Sequence, residues 1–199
     1  MKPEQALAFA VFSVVAAGTP GPSNALLTAT GANVGVLRGL PALLGVSVGM
    51  GLMMFGVGFG LGSLILANPA VLSIVKWCGA AFLLWLAWKI ATSRSHAVRD
   101  SRRPVGFLGA AAFQWVNPKS WLVCTSAAAT FLDPNTGGAA LQSGVLALTF
   151  VVVSLPSCLP WLAFGAVMQR LLRSERAQRT FNVAMAVLLA ASVVLIVFD

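Results

Sequence analysis

Acidic side chains are scarce. Glu4, Asp100, Asp133, Glu175 and Asp199 are the full set, and all fall in termini, in polar stretches or at the ends of apolar runs. Histidine occurs once, as His96, and Cys78, Cys124 and Cys158 are scattered without a CxxC or Cys/His cluster. These shortages remove whole classes of chemistry. Sodium carriers, proton pumps and divalent-metal carriers generally place Asp or Glu within the membrane, and no apolar run here holds one in its middle. Hydrolysis by a Ser–His pair or a metal inside an apolar segment has neither base nor ligand set. The glycine run between Gly45 and Gly62 lacks the Lys-Ser/Thr of a phosphate loop, and no dinucleotide fingerprint is present. The cysteines read as reduced packing residues; no metal, cofactor or enzymatic activity is expected.

What the chain has instead is apolar surface. Hydrophobic residues make up 58% and charged residues 9%, against roughly 25% charge in soluble domains. Six apolar runs, Ala6–Ala32, Leu40–Ala67, Val71–Trp88, Val105–Phe131, Ala139–Val167 and Phe181–Phe198, each reach the ~18 residues of a spanning helix, and none alternates like a barrel strand. The expected class is all-α: a polytopic membrane protein of six transmembrane helices forming one transporter domain over residues 1–199. A cleavable leader at Ala16-Ala17-Gly18 is disfavoured, because Glu4 offsets Lys2 and the apolar run resumes after Pro22.

The net charge of +8 is distributed by topology. Arg38 in the first loop, Lys89, Arg94, Arg99, Arg102 and Arg103 around the third, and Arg170, Arg173, Arg176 and Arg179 in the fifth face only Lys2 and Lys76 on the other side. The positive-inside rule then places the basic loops in the cytoplasm and both termini outside. Anionic lipid is a second expected partner of these cations, and nucleic acid is not.

Ser93–Pro104 is the one long polar stretch, and it divides three runs from three. Duplication of an odd number of spans inverts the second copy, so two inverted three-helix repeats are expected, residues 1–93 and 105–199 joined by the loop 94–104. Punctuation supports this. Thr19-Pro20-Gly21-Pro22 and Asn117-Pro118-Lys119 interrupt the first and fourth runs at matching places. A helix breaks inside lipid only where the freed backbone groups meet protein, a cavity or a ligand, because each unpaired group costs several kcal/mol. Broken helices 1 and 4 therefore point to a transport site.

Lys119 lies about 18 Å from both Phe107 and Phe131 at the rise of a helix, beyond the reach of snorkelling. Burying its charge there costs on the order of 3 kcal/mol, so it needs an interior partner. No mid-segment carboxylate is present; backbone carbonyls at the breaks, Asn117, Asn24, water and an anionic substrate group remain. Ser23 and Asn24 follow Pro22, and Asn117 precedes Pro118, as at the capped starts of helices. Two positive helix ends and one ammonium describe a carboxylate site made by Pro20, Gly21, Pro22, Ser23, Asn24, Asn117, Pro118 and Lys119. A structural strut, with Lys119 held by carbonyls, is the alternative. Trp115 and Trp121 flank the second break and, with Ser157 and Cys158 between Pro156 and Pro160, are further candidates for cavity lining. Gly45/Gly49, Gly56/Gly60 and Gly58/Gly62 read as small-xxx-small packing pairs, or as places where segments two and five flex. Trp77 and Trp88, beside Lys76 and Lys89, read as interfacial anchors, and Trp85 and Trp161 as belt or core.

On these residues the chain resembles the lysine-exporter (LysE) superfamily in its RhtB branch. Thr19-Pro20-Gly21-Pro22 with Asn24 is similar to the signature of that family's first segment, Gly79–Lys89 to its third, and Asn117-Pro118-Lys119 to its fourth. Trp115–Lys119 and the third segment look most like cysteine/O-acetylserine exporters. One departure is Phe82 where the family commonly has Tyr; the chain has no tyrosine. The resemblance implies a secondary exporter of amino acids across the bacterial inner membrane, driven by the proton-motive force, with a homodimer carried as an expectation. Small neutral amino acids or close derivatives, of cysteine/O-acetylserine, homoserine/threonine or leucine type, are the expected substrates. The absence of membrane acids agrees, since a cationic side chain would lack a counter-ion. A non-transporting membrane scaffold or assembly protein is the competing class.

Overall fold

The computed structural model describes residues 3–62, 68–92, 105–133, 138–171 and 174–197. Ser93–Pro104 with its arginines and His96, and Lys2, Arg173 and Asp199, lie outside them, as do the side chains of Lys76, Phe82, Lys89 and Arg170.

Seven α-helices follow one another among the described residues: α1 (Pro3–Gly18), α2 (Pro22–Gly56), α3 (Pro69–Ala91), α4 (Phe107–Val116), α5 (Pro118–Phe131), α6 (Ala139–Leu171) and α7 (Glu175–Val197), with a π-turn, Val57–Leu61, closing α2. Each break follows from proline. Pro20 and Pro22 have no N–H to continue α1, which stops at Gly18, and Pro22 then takes the first position of α2, where no N–H is required. Pro118 ends α4 at Val116 and opens α5. Both breaks thus stand where the prolines put them.

The interval 33–39, read from sequence as the first loop, is helical except at Gly35, whose φ of 77° turns the chain. That is the left-handed region, open to glycine without strain. A similar glycine, Gly60 at φ 120°, lies in the π-turn. Pro156 and Pro160 leave α6 unbroken; Ser157 Oγ donates to the Val153 carbonyl at 2.8 Å.

α2 packs chiefly along α6 and along α4, and α3 pairs with α7. Small residues set the closeness. A Cβ on Gly31 would lie 2.0 Å from the Leu162 carbonyl oxygen, and one on Gly165 1.9 Å from that of Thr28, so the first half of α2 and α6 touch backbone to backbone. Gly45 and Gly49 meet Phe107 and Ala111 of α4 in the same way. Phe9 on α1 stands edge-on to Phe131 at the end of α5, 5.0 Å between ring centres.

Polarity is arranged inside out. Ser13, Asn24, Thr28, Ser47, Gln114, Asn117, Ser120 and Ser154 are buried, whereas Leu7, Leu37, Leu108, Leu141 and Leu148 are two-thirds exposed or more. Water-soluble proteins rarely leave so much apolar surface uncovered, and lipid removes the penalty. Pro22–Leu61 and Ala139–Met168 are long and apolar enough to cross a bilayer, counted among the described residues.

Candidate functional site

In an unbroken helix the carbonyls of Ala17, Gly18, Thr19 and Pro20 would accept from the N–H groups four residues on. The proline break takes those donors away. Each of the four carbonyls finds a substitute. Asn24 Nδ2 donates to Ala17 at 2.9 Å and to Thr19 at 2.8 Å, Trp161 Nε1 donates to Gly18 at 3.2 Å, and Lys119 Nζ donates to Thr19 at 2.7 Å with Pro20 at 3.5 Å. The ammonium, carried by the second break, therefore sits on the negative end of α1 at the first.

The second break is satisfied in parallel. Asn117 Oδ1 accepts from the Lys119 N–H at 3.1 Å and caps α5, and the Asn117 N–H turns back to Gln114 at 3.2 Å. Trp115, whose carbonyl Lys119 would have bonded in a continuous helix, accepts from Trp121 Nε1 at 2.8 Å. Each break thus uses one indole N–H, from Trp161 and from Trp121. Gly79 of α3 lets the second break approach: a Cβ there would lie 2.4 Å from the Val116 carbonyl oxygen.

Side chains tie the two breaks together. Ser23 Oγ donates to Gln114 Oε1 at 2.9 Å and accepts from Asn117 Nδ2 at 3.0 Å, and Ser120 Oγ donates to the same Gln114 oxygen at 3.0 Å. Gln114 Nε2 completes its own bonding on the Ala110 carbonyl at 3.1 Å. Gln114 and Asn117 are buried, and the network is closed on itself.

Beside this network lies a cavity of about 40 Å³, enough for a few waters. One stretch of its lining comes from the breaks: Gly21, Ser23, Asn24, Gln114, Asn117, Lys119 and Ser120. The rest comes from α1, α2, α5 and α6, including Val46, Ser47, Met50, Phe150 and Cys158. Lys119 is the one charged residue among them.

The sequence candidates divide accordingly. Gly21, Ser23, Asn24, Asn117, Lys119 and Cys158 line the cavity, while Pro20, Pro22 and Pro118 shape it through the breaks without bordering it. Trp115, Trp121 and Ser157 stand away from it: the two rings meet edge to face at 6.1 Å over the second break, and Ser157 turns to its own helix. Asn24 differs from its expected part in capping. The N-cap of α2 is Gly21, without a side-chain bond, and the Asn24 amide turns back to α1 because the carbonyls freed there need donors. Gln114, Ser47, Ser120 and Trp161 escaped the sequence reading. Gln114 carried a signal, as an amide inside an apolar run three residues before Asn117.

An apolar exterior, buried polar side chains and a polar cavity where two broken helices meet are the features of a helical membrane protein with an internal site. The chain belongs to the LysE type translocator family, whose model matches residues 14–198. Cysteine/O-acetylserine efflux proteins of Escherichia coli (strain K12) and Shigella sonnei (strain Ss046) are each 33% identical to it over 192 residues, 95% of this chain and 95% of theirs. Those relatives are transporters. No solved structure matches the chain.

Proposed function

We propose that this protein is a secondary active exporter of small neutral amino acids or close derivatives, with cysteine and O-acetylserine the leading substrates, across the bacterial inner membrane. The observation that carries this reading is Lys119. Its ammonium borders the cavity at the meeting point of two helix breaks, and it is the one charged group there. A substrate carboxylate entering beside it gains a charge-assisted bond, with the second amide hydrogen of Asn117, whose first goes to Ser23, as a further donor. Membership of the translocator family and likeness to the efflux proteins support the class and the substrate type.

Six spans in two inverted repeats fit the pairing of elements. α2, which holds the end of the first segment and the second, lies along the fifth, α3 lies along α7, and the first and fourth meet at their breaks. On this reading residues 1–199 form one transporter domain, the basic loops are cytoplasmic and the termini outside. Proton coupling then falls to Lys119, the substrate amine or a segment-end acid such as Asp133. The second reading, a strut, rests on the 2.7 Å contact of Lys119 with Thr19, which makes the ammonium a cap for α1.

The test is flux in proteoliposomes loaded with cysteine, O-acetylserine, threonine, leucine or lysine under an imposed pH gradient. Saturable, gradient-dependent release of the neutral substrates, with lysine excluded, is the expected result. No release of any amino acid would overturn the exporter reading in favour of a scaffold, and sodium dependence would overturn the coupling.

A further inference from the structure

Among the described residues, many hydroxyls of this bundle bond back to their own helix. Ser13 donates to the Phe9 carbonyl, Thr30 to Leu26, Thr125 to Trp121 and Ser157 to Val153, each one turn back along its own helix at 2.7–2.8 Å. Ser47 does not. It is fully buried in the second half of α2, and its Oγ has no hydrogen-bond partner among the described residues. An unsatisfied buried hydroxyl is costly, and a native one calls for an explanation. Ser143 is the other such case among the described residues, but it does not border the cavity.

Ser47 borders the cavity, in the part of the lining that the helix breaks do not supply. That part of the lining also holds Ala16 and Ala17 of α1, Val46 and Met50 of α2, Val123 of α5 and Phe150 of α6, all apolar, and Cys158 of α6, whose Sγ donates to the Ala17 carbonyl at 3.6 Å. Ser154 of α6 is the other hydroxyl in that part of the lining, and it donates to the Val151 carbonyl at 3.1 Å. The groups suited to a carboxylate therefore cluster at the breaks, while the remaining wall is apolar with one uncommitted hydrogen-bonding group.

Building on the exporter reading above, we propose that this wall receives the substrate side chain and that Ser47 determines specificity, pairing with the hydroxyl, thiol or ester carbonyl at the tip of a short side chain. The apolar neighbours accommodate the methylene that carries the tip. An amino acid of the same size with an apolar tip leaves the Ser47 hydroxyl buried and unpaired, so it is disfavoured. A site built to bond a polar group rejects the analogue lacking it more strongly than an apolar pocket rejects an added methylene.

The experiment compares export of serine, cysteine and O-acetylserine with that of 2-aminobutyrate, an apolar analogue of similar size, by wild type, Ser47→Ala and Ser47→Cys in proteoliposomes. Ser47→Ala removes an unpaired hydroxyl and should keep wild-type thermal stability. Its preference for polar-tipped over apolar substrate should fall about threefold to tenfold, the value of one hydrogen bond. Ser47→Cys, close in size with a weak donor, should keep an intermediate preference, and it carries the test if the alanine variant does not fold. An unchanged preference ratio in a folded variant would overturn the proposal while leaving the exporter reading intact; that is also the outcome if Ser47 serves only a resident water. Absence of export by the wild type would instead sink the underlying reading.

Discussion

Lys119→Met separates a substrate-binding lysine from a strut, because the structure gives both roles a stated size. The substitution removes the bonds from Nζ to the Thr19 and Pro20 carbonyls at 2.7 and 3.5 Å. Thr19 is not orphaned, since Asn24 Nδ2 still donates to it at 2.8 Å, and Pro20, which loses its substitute donor, is exposed. A charge-assisted bond is worth about 1.5–3 kcal/mol, and against it stands the desolvation cost of a buried charge, several kcal/mol, which the variant no longer bears. The two nearly cancel, so thermal stability should change by about 1 kcal/mol or less. Transport has no such compensation. A carboxylate that loses its charge-assisted partner loses about tenfold to a hundredfold in affinity, and export at sub-saturating substrate should drop accordingly. The assay pairs thermal unfolding in detergent with proteoliposome flux at several substrate concentrations. A folded variant exporting at the wild-type rate would refute the carboxylate assignment. A variant that unfolds several degrees early while keeping its affinity would make Lys119 a cap for α1.

Further outcomes follow from the packing. Asn24→Ala leaves Ala17 with only the long Cys158 Sγ contact, 3.6 Å, and should cost about 2 kcal/mol of stability; an unchanged unfolding temperature would contradict the carbonyl accounting at the first break. Gly165→Ala puts a methyl 1.9 Å from the Thr28 carbonyl oxygen, forcing α2 and α6 apart, and should abolish folded expression, whereas Gly144→Ala on the same helix meets nothing within 4 Å and should be neutral or slightly stabilising. Equal yields of the two would show that the close approach is not required. Reporters fused within Ser93–Pro104 and after Arg173 should read cytoplasm and one after Asp199 the opposite side; a cytoplasmic C-terminus would overturn the six-span inverted arrangement.

Local covalent chemistry made much of this molecule legible in the sequence. A proline has no N–H to continue a helix, and at Thr19–Pro22 and Asn117–Lys119 that marked both breaks, although Pro41, Pro156 and Pro160 stand inside helices that run on; hydropathy marked the apolar elements around them. Asn117 as a cap was equally local, a side chain reaching the N–H two residues on. The turn between the first two segments was harder to place, because a single Gly35 with positive φ replaces the polar loop. What tertiary structure alone decided is which donor meets which freed carbonyl. Sequence shows that Lys119 needs a partner, but Thr19 becomes that partner only because two breaks a hundred residues apart are brought together by glycine-mediated packing of α2 on α4 and α6. The same holds for Trp161 on Gly18, for Gln114 between Ser23 and Ser120, and for Ser47, whose hydroxyl looks like any other until the fold leaves it without a bond beside a cavity. Hydrogen bonds act over about 3 Å, and no periodicity along the chain encodes which distant atoms come within that range.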